Sequence, residues 1–295
     1  MRTAGQLAGA VATLIVIVFA VALSAPGAQA AIRTAPQAKA AGPAGVAAPW
    51  AELANAATGA VLWSRDASAR RPMGSITKVM TAYLVIEAGH LNRVITVPSG
   101  ITGYDNEFDA STAGLVPGEK YTALQLLYAL LLPSGCDAAY TLATAYGPGR
   151  ATFIAAMNAT ARRLGLTRTH FSDFSGLPDP GEYTTYSSAR DLIVLGRDAM
   201  RLPLLRQIVD VRTFHLASGR AHAAHTWVNK NLLLWHYTGA IGIKTGQTSA
   251  AGACLLFAAR RGGKTLIGVV LHSSSFSLDP AFSDAEKVLN WGFAH

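Results

Sequence analysis

A serine and a lysine three residues apart, Ser75 and Lys78, are the pair in this sequence best placed to do chemistry. On a helix such side chains meet on one face, so an amine can take the proton of a hydroxyl and free it to attack a carbonyl. Two more polar islands follow: Ser134-Gly-Cys136, 59 residues beyond Ser75, and Lys244-Thr-Gly246, 110 residues beyond Ser134. Each is set against an apolar stretch able to hold it rigidly. Any one of them recurs by chance in a chain of 295 residues, so their order and spacing carry the specificity. Together they read as a serine acyl-transfer site.

The roles follow from the functional groups. Ser75 at a helix N-terminus has a backbone N–H without an intrahelical partner, so one residue can supply both the nucleophile and a donor to the resulting oxyanion. The competing reading is an ordinary N-cap serine, which the company of the other islands outweighs. Lys78 is the expected general base. Ile76, Val79 and Met80 suggest a partly buried amine, and burial with a second ammonium, Lys244, disfavours its charged form. Ser134 is expected to relay a proton between Lys78 and a leaving amine, because a hydroxyl donates and accepts at once; it also suits the cap of a following helix. Lys244 and Thr245, on a strand edge, suit a substrate carboxylate.

The elements that must position these groups are legible from apolar periodicity. A hairpin is expected from Ala51 to Asn55 and Ala60 to Trp63 about Ala57-Thr-Gly59, then a helix after Ser75 ending at Gly89. Helices are expected over 122–132, 138–146 and 153–164, with the Ser134 island in the turn between the first two. Ser188 with Asp191 resembles a capping box for another. Residues 239–246, 253–260 and 266–272 read as a meander of strands, and 284–291 as a closing helix. Strands at both ends with helices between them imply an α+β fold, one antiparallel sheet built from both chain ends with a helical lobe inserted.

Composition narrows the setting. Met1 and Arg2, an apolar run from Ala10 to Leu23 and Ala28-Gln-Ala30 form an export signal, with cleavage after Ala30 favoured over a retained N-terminal anchor. Residues 31–49, rich in Ala, Pro and Gly, read as a linker, and 50–295 as one catalytic domain. Without the first thirty residues 24 basic side chains face 17 acidic ones, a balance suited to an anionic envelope or simply to solubility. The basic residues are scattered without an aromatic-basic module, so no nucleic-acid partner is expected. Cys136 and Cys254 are expected as free thiols, since a domain of this size needs no disulfide. No cofactor or metal is expected: His222, His225, His236 and His272 lack ligand spacing and read as surface residues, and Asp105, Glu107 and Asp109 as a solvated loop.

Several segments resemble the D-alanyl-D-alanine carboxypeptidase family, the low-molecular-mass serine penicillin-binding proteins. They are Pro72-Met-Gly-Ser-Ile-Thr-Lys-Val-Met-Thr-Ala-Tyr83, Leu132-Pro-Ser-Gly-Cys-Asp-Ala138, His170-Phe171 with Ser175-Gly-Leu177, Ser188-Ala-Arg-Asp-Leu192 and Gly242-Ile-Lys-Thr-Gly-Gln-Thr248. The resemblance runs from about residue 50 to the end of the chain. It implies a β-lactamase/D,D-peptidase-like fold, an acyl-enzyme on Ser75, peptidoglycan stem peptides ending in D-Ala-D-Ala as substrate and β-lactams as covalent inhibitors. It makes Lys244, Thr245, Gly246 and Gln247 substrate-binding, with the Gln247 N–H as second oxyanion donor. Cys136 is also expected among the substrate-binding residues, its thiol beside Ser134 and within reach of Ser75 and Lys78; it stands where the family more often has Asn, and a Cys here resembles a streptomycete transpeptidase branch. Ala281 stands where some members carry an Arg, which would leave carboxylate recognition more to Lys244. Many members continue into a β-rich domain and a membrane anchor, and neither is expected here. Two other functions remain open: a β-lactamase, although Glu182 is the only glutamate between the second and third islands, and a binding module without turnover.

Overall fold

The computed structural model describes residues 42–295; the expected signal segment and most of the linker, residues 1–41, lie outside the described residues. The described chain opens with a hairpin, β1 (Trp50–Asn55) and β2 (Val61–Arg65). A 3-10 turn, Gly74–Thr77, then leads directly into α1 (Lys78–Ala88), which stops at Gly89 as expected. Next come β3 (Val94–Thr96), α2 (Gly100–Glu107), β4 (Lys120–Thr122) and α3 (Ala123–Leu131). A capping box starts α3: Gln125 N–H donates to Thr122 Oγ1 and Thr122 N–H to Gln125 Oε1. Pro133 ends that run, and α4 (Cys136–Tyr146) begins two residues earlier than its apolar pattern suggests.

After α5 (Arg150–Arg163) the chain crosses to α6 (Ala189–Ala199). The Ser188 hydroxyl caps α6 by accepting from Asp191 N–H, while the Asp191 carboxylate turns outward to Arg168 N–H and Thr169 Oγ1 instead of closing the box. Then follow α7 (Pro203–Asp210), β5 (Thr213–Leu216), β6 (His225–Val228) and the short α8 (Leu233–His236). The expected meander is present as β7 (Ala240–Thr248), β8 (Gly252–Arg261) and β9 (Lys264–Leu271), closed by α9 (Asp279–Ala294). The last helix starts before the expected boundary, at a Pro in its first turn. Ala281 lies inside it, fully buried against the sheet.

Among the described residues the main sheet is antiparallel in the order β2-β1-β9-β8-β7, so strands from both chain ends share it. Alternation along β8 separates two cores. Ala253, Leu255, Phe257 and Ala259 face α9, whereas Cys254, Leu256 and Ala258 join the core of the helical lobe. Lys244 pairs with Leu256 and Gly246 with Cys254, so both face that lobe. Helix α1, buried almost all round, runs through its middle and carries Lys78 at its first turn.

Over residues 42–49 the expected linker is instead part of the fold. Residues 42–49 are packed against the domain: Ala47 and Ala48 N–H each donate over 2.8 Å to the buried carboxylate of Asp284, and Arg65 Nη1 donates to the carbonyls of Val46 and Ala48. Residues 42–49 therefore belong to the folded domain, and a stretch without apolar period is held by side chains more than two hundred residues away in sequence.

Candidate active site

The 3-10 turn sets Ser75 and Lys78 side by side, and Lys78 Nζ donates to Ser75 Oγ over 2.7 Å. The same nitrogen donates to the Ser175 carbonyl over 3.0 Å and to Cys136 Sγ over 3.2 Å. Lys78 is fully buried, so these three atoms replace its water shell. The carbonyl can only accept; it fixes one N–H and so fixes how the amine faces Ser75.

That carbonyl belongs to a loop held by Asp173. One oxygen of this fully buried carboxylate accepts from Ser175 N–H, Ser175 Oγ, Gly176 N–H and Leu177 N–H at 2.6–3.0 Å. The other accepts from the Tyr104 hydroxyl over 2.6 Å. Asp173 and Tyr104 went unread in the sequence. A carboxylate two residues before a Ser-Gly pair resembles many turn residues, and its count of donors exists only in the folded chain.

The second island is a strained turn. Ser134 takes a left-handed backbone, φ 68°, rare for a residue with a Cβ, and is buried. Cys136 N–H donates to the Ser111 carbonyl over 2.8 Å, which seats α4. Asp137, next along, receives Ala113, Leu115 and Ala138 N–H. Its burial outweighs these bonds and raises its carboxyl above the usual range. Among the described residues no hydrogen bond joins the Ser134 side chain to Lys78. The atom of this island on Lys78 is the Cys136 thiol, and the Ser134 carbonyl lies 4.0 Å from that sulfur. Cys136 and Cys254 are both free and buried, and burial pushes the Cys254 thiol up to about 12.

The third island reaches the site through glycines. A Cβ on Gly246 would overlap the Met73 carbonyl, and one on Gly74, itself at φ 53°, would lie 2.7 Å from Gln247 N. The backbone N–H of Gln247 is thereby held against the turn that carries Ser75. Lys244 is buried beside them and donates to the carbonyl and hydroxyl of Thr245. Burial first, then the ammonium groups of Lys78 and Lys230, push its ionisation well below the ordinary lysine range. Lys230, exposed with its Nζ on Ser111 Oγ over 3.1 Å, is a further cation of this cleft that the sequence did not single out.

Three expected surface groups sit differently. Asp105 was expected to be solvated, but its segment is the helix α2, pinned by buried Ile101 and Tyr104, and this leaves Asp105 half-buried with Oδ1 unpartnered. Glu107 and Asp109 are exposed as expected. His225 Nε2 meets the Tyr121 hydroxyl at 2.8 Å and His222 stacks on the same ring, so both belong to a packed aromatic cluster. Desolvation, then the Asp137 charge, raises the Asp105 carboxyl to about 7, with Lys78 opposing. The folded chain then holds a proton on Asp105 that the unfolded chain releases near pH 4, so the stability contributed by this group falls as pH rises from about 4 to 7. Asp105→Asn removes this contribution, so from pH 5 to pH 8 the urea midpoint of the variant should fall less, or rise more, than that of the wild type. An equal change in both proteins would mean that Asp105 contributes nothing to it.

A family model described as D-alanyl-D-alanine carboxypeptidase matches residues 37–275, which covers most of the chain. The chain belongs to the D-alanyl-D-alanine carboxypeptidase family. A D-alanyl-D-alanine carboxypeptidase of Streptomyces sp. (strain K15) is 42% identical over 252 residues, 81% of this chain and 85% of that protein. One from Mycobacterium tuberculosis is 37% identical over 243 residues, covering 82% and 81%. In solved structures, a mutant of the Streptomyces K15 DD-transpeptidase superposes with a TM-score of 0.80 at 42% identity, across 85% of this chain and 99% of that one. The chain is thus a serine D,D-peptidase, an enzyme of the class that acts on D-Ala-D-Ala peptidoglycan substrates and binds β-lactams, and its α+β fold is the one expected.

Proposed function

We propose that this D,D-peptidase carries its acyl-enzyme on Ser75, with Lys78 as general base. The single observation carrying this reading is the 2.7 Å contact of Lys78 Nζ with Ser75 Oγ while the Ser175 carbonyl holds another N–H of that amine. Once deprotonated, the Lys78 amine accepts from the Ser75 hydroxyl across that contact and takes its proton as Oγ bonds to the penultimate carbonyl carbon of a stem peptide ending in D-Ala-D-Ala. The oxyanion rests on the N–H groups of Ser75 and Gln247. The tetrahedral intermediate then breaks its C–N bond, the proton passes to the departing amine, and D-alanine leaves. Water attacking the ester gives a carboxypeptidase product, and an acceptor amine gives a cross-link. Lys244 and Thr245 receive the terminal carboxylate, whose negative charge favours the ammonium form that burial disfavours.

A β-lactam should therefore acylate Ser75 one to one, because its strained amide mimics the scissile bond. Peptide mapping of the adduct checks this, and a label on Ser134 instead would overturn the assignment. Cys136 helps orient Lys78 and fills the place of an amide. Cys136→Asn restores a group that both donates and accepts, so it should keep acylation within about tenfold of wild type, read as the acylation rate. A loss as large as that of removing the base would make the thiol itself indispensable.

The exposed Glu182, outside the hydrogen bonds of the site, disfavours a β-lactamase in which a glutamate activates the deacylating water. Export with cleavage after Ala30, and action at the cell envelope, belong to the same proposal. They are supported by the apolar run and Ala28-Gln-Ala30, and tested by N-terminal sequencing of the secreted protein.

A further inference from the structure

At the end of the sheet away from Gln247, α6, α7 and the strands enclose two adjoining cavities of about 450 and 250 Å³ that share Arg206, Ile241 and Arg260. Their floor is apolar, formed by Met200, Ile241, Ala258 and Ile267. Their walls carry Arg197, Arg201, Arg206 and Arg260. This is a concentration of positive charge separate from the lysines of the catalytic cleft. None of these residues belongs to the catalytic cleft. Ile241 lies three residues before Lys244, about 10 Å along the strand.

The four arginines are not equivalent. Arg197 is committed to structure, since Nε donates to the Ala56 carbonyl and Nη2 to that of Ala57. Arg201 is paired with Asp198 at 2.6 Å. Arg206 spends only Nη1, on the Met200 carbonyl at 3.2 Å. Arg260 makes no side-chain hydrogen bond among the described residues, and the carboxylate that acts on it, Asp210, lines only the smaller cavity. Two guanidinium forks with donors to spare thus share one recess. Such forks match phosphate oxygens, and two of them offer more N–H groups than one carboxylate can take up. The larger cavity has the volume of a small-molecule site, far more than bare phosphate fills, so an organic body would lie over the apolar floor.

We propose that this recess binds a small organic phosphate, its phosphate held by Arg206 and Arg260. The source is either a free small molecule or the repeat unit of a phosphodiester polymer. In the first case glycerol phosphate and a poly(glycerol phosphate) chain bind equally per unit; in the second the polymer binds more tightly.

The full chain is titrated calorimetrically with glycerol phosphate, poly(glycerol phosphate) and acetate, and sedimented with vesicles of anionic phospholipid. Wild type should bind both phosphate probes, more weakly as salt rises, and prefer them to acetate. The double variant Arg206→Gln/Arg260→Gln should lose at least tenfold in affinity while Ser75 is still acylated by a β-lactam, which reports intact folding independently of this site. Arg162→Gln/Arg168→Gln, which removes two exposed charges elsewhere, should bind as wild type does. The proposal is overturned by equal loss in both double variants, by no discrimination from acetate, by no binding of either phosphate probe, or by binding to vesicles alone.

Discussion

Lys78→Ala should slow acylation of Ser75 by about 10²–10⁴-fold, the usual contribution of a positioned general base. The amine is the hydrogen-bond partner that the structure gives to Ser75 Oγ, and the substitution leaves the hydroxyl with nothing to take its proton. It also strips a donor from the Ser175 carbonyl and from Cys136 and opens a void in the core, so some thermal stability is lost. Removal of Lys78 relieves Lys244, however, whose ionisation a charge on Lys78 opposes. A folded Lys78→Ala protein should therefore be recoverable, and its acylation rate by a β-lactam can be measured beside its melting curve. Lys244→Ala supplies the contrast. It removes a binding charge and should weaken recognition of carboxylate-bearing substrates more than it slows the chemical step. Acylation of Lys78→Ala at the wild-type rate would move the base to another residue.

What the sequence disclosed and what it hid divide along one physical line. The Ser75–Lys78 pairing, the hairpin, the capped helices and the three-strand meander all depend on neighbours a few residues apart, where helical and strand periodicity apply. The family resemblance supplied the joining of the three islands. Hidden were arrangements made by residues distant in sequence. Asp173 collects donors from its own loop, but its use lies in holding the Ser175 carbonyl on Lys78, 97 residues away. Asp105 read as solvated because alternating acids suggest a loop, whereas packing of Ile101 and Tyr104 made a helix and turned that carboxyl inward. The stretch 42–49 has no pattern of its own and is ordered by Asp284. The Cys136 thiol was expected within reach of Lys78 and is bonded to it, but that the Ser134 hydroxyl would not be so bonded depends on the left-handed turn at Ser134, which the sequence does not disclose.

Gly246→Ala should cost about 10²–10³-fold in acylation rate, the effect of losing one oxyanion donor, although the substitution touches no reacting atom. The backbone of Gly246 is ordinary strand and tolerates alanine; the obstacle is proximity. The added methyl would overlap the Met73 carbonyl and stand 3.1 Å from the backbone nitrogen of Ile76, both in the segment that carries Ser75. These are backbone atoms that no rotamer change can move aside. Strand β7 must therefore withdraw from the turn, and the Gln247 N–H withdraws with it from the position the oxyanion will occupy. A displacement near 1 Å is enough for a loss of about 10²-fold. Gly74→Ala approaches the same contact from the other side, 2.7 Å from Gln247 N and with a positive φ besides, and should be at least as impaired. Gly262→Ala serves as the control, since it also has a positive φ but no atom within 4 Å of its Cβ, so it should cost some stability and leave acylation alone. The measurements are the second-order acylation rate and the melting temperature of each variant. If folded Gly246→Ala acylates within threefold of wild type, the Gln247 N–H is not an oxyanion donor and the close approach of β7 to Gly74 serves packing alone.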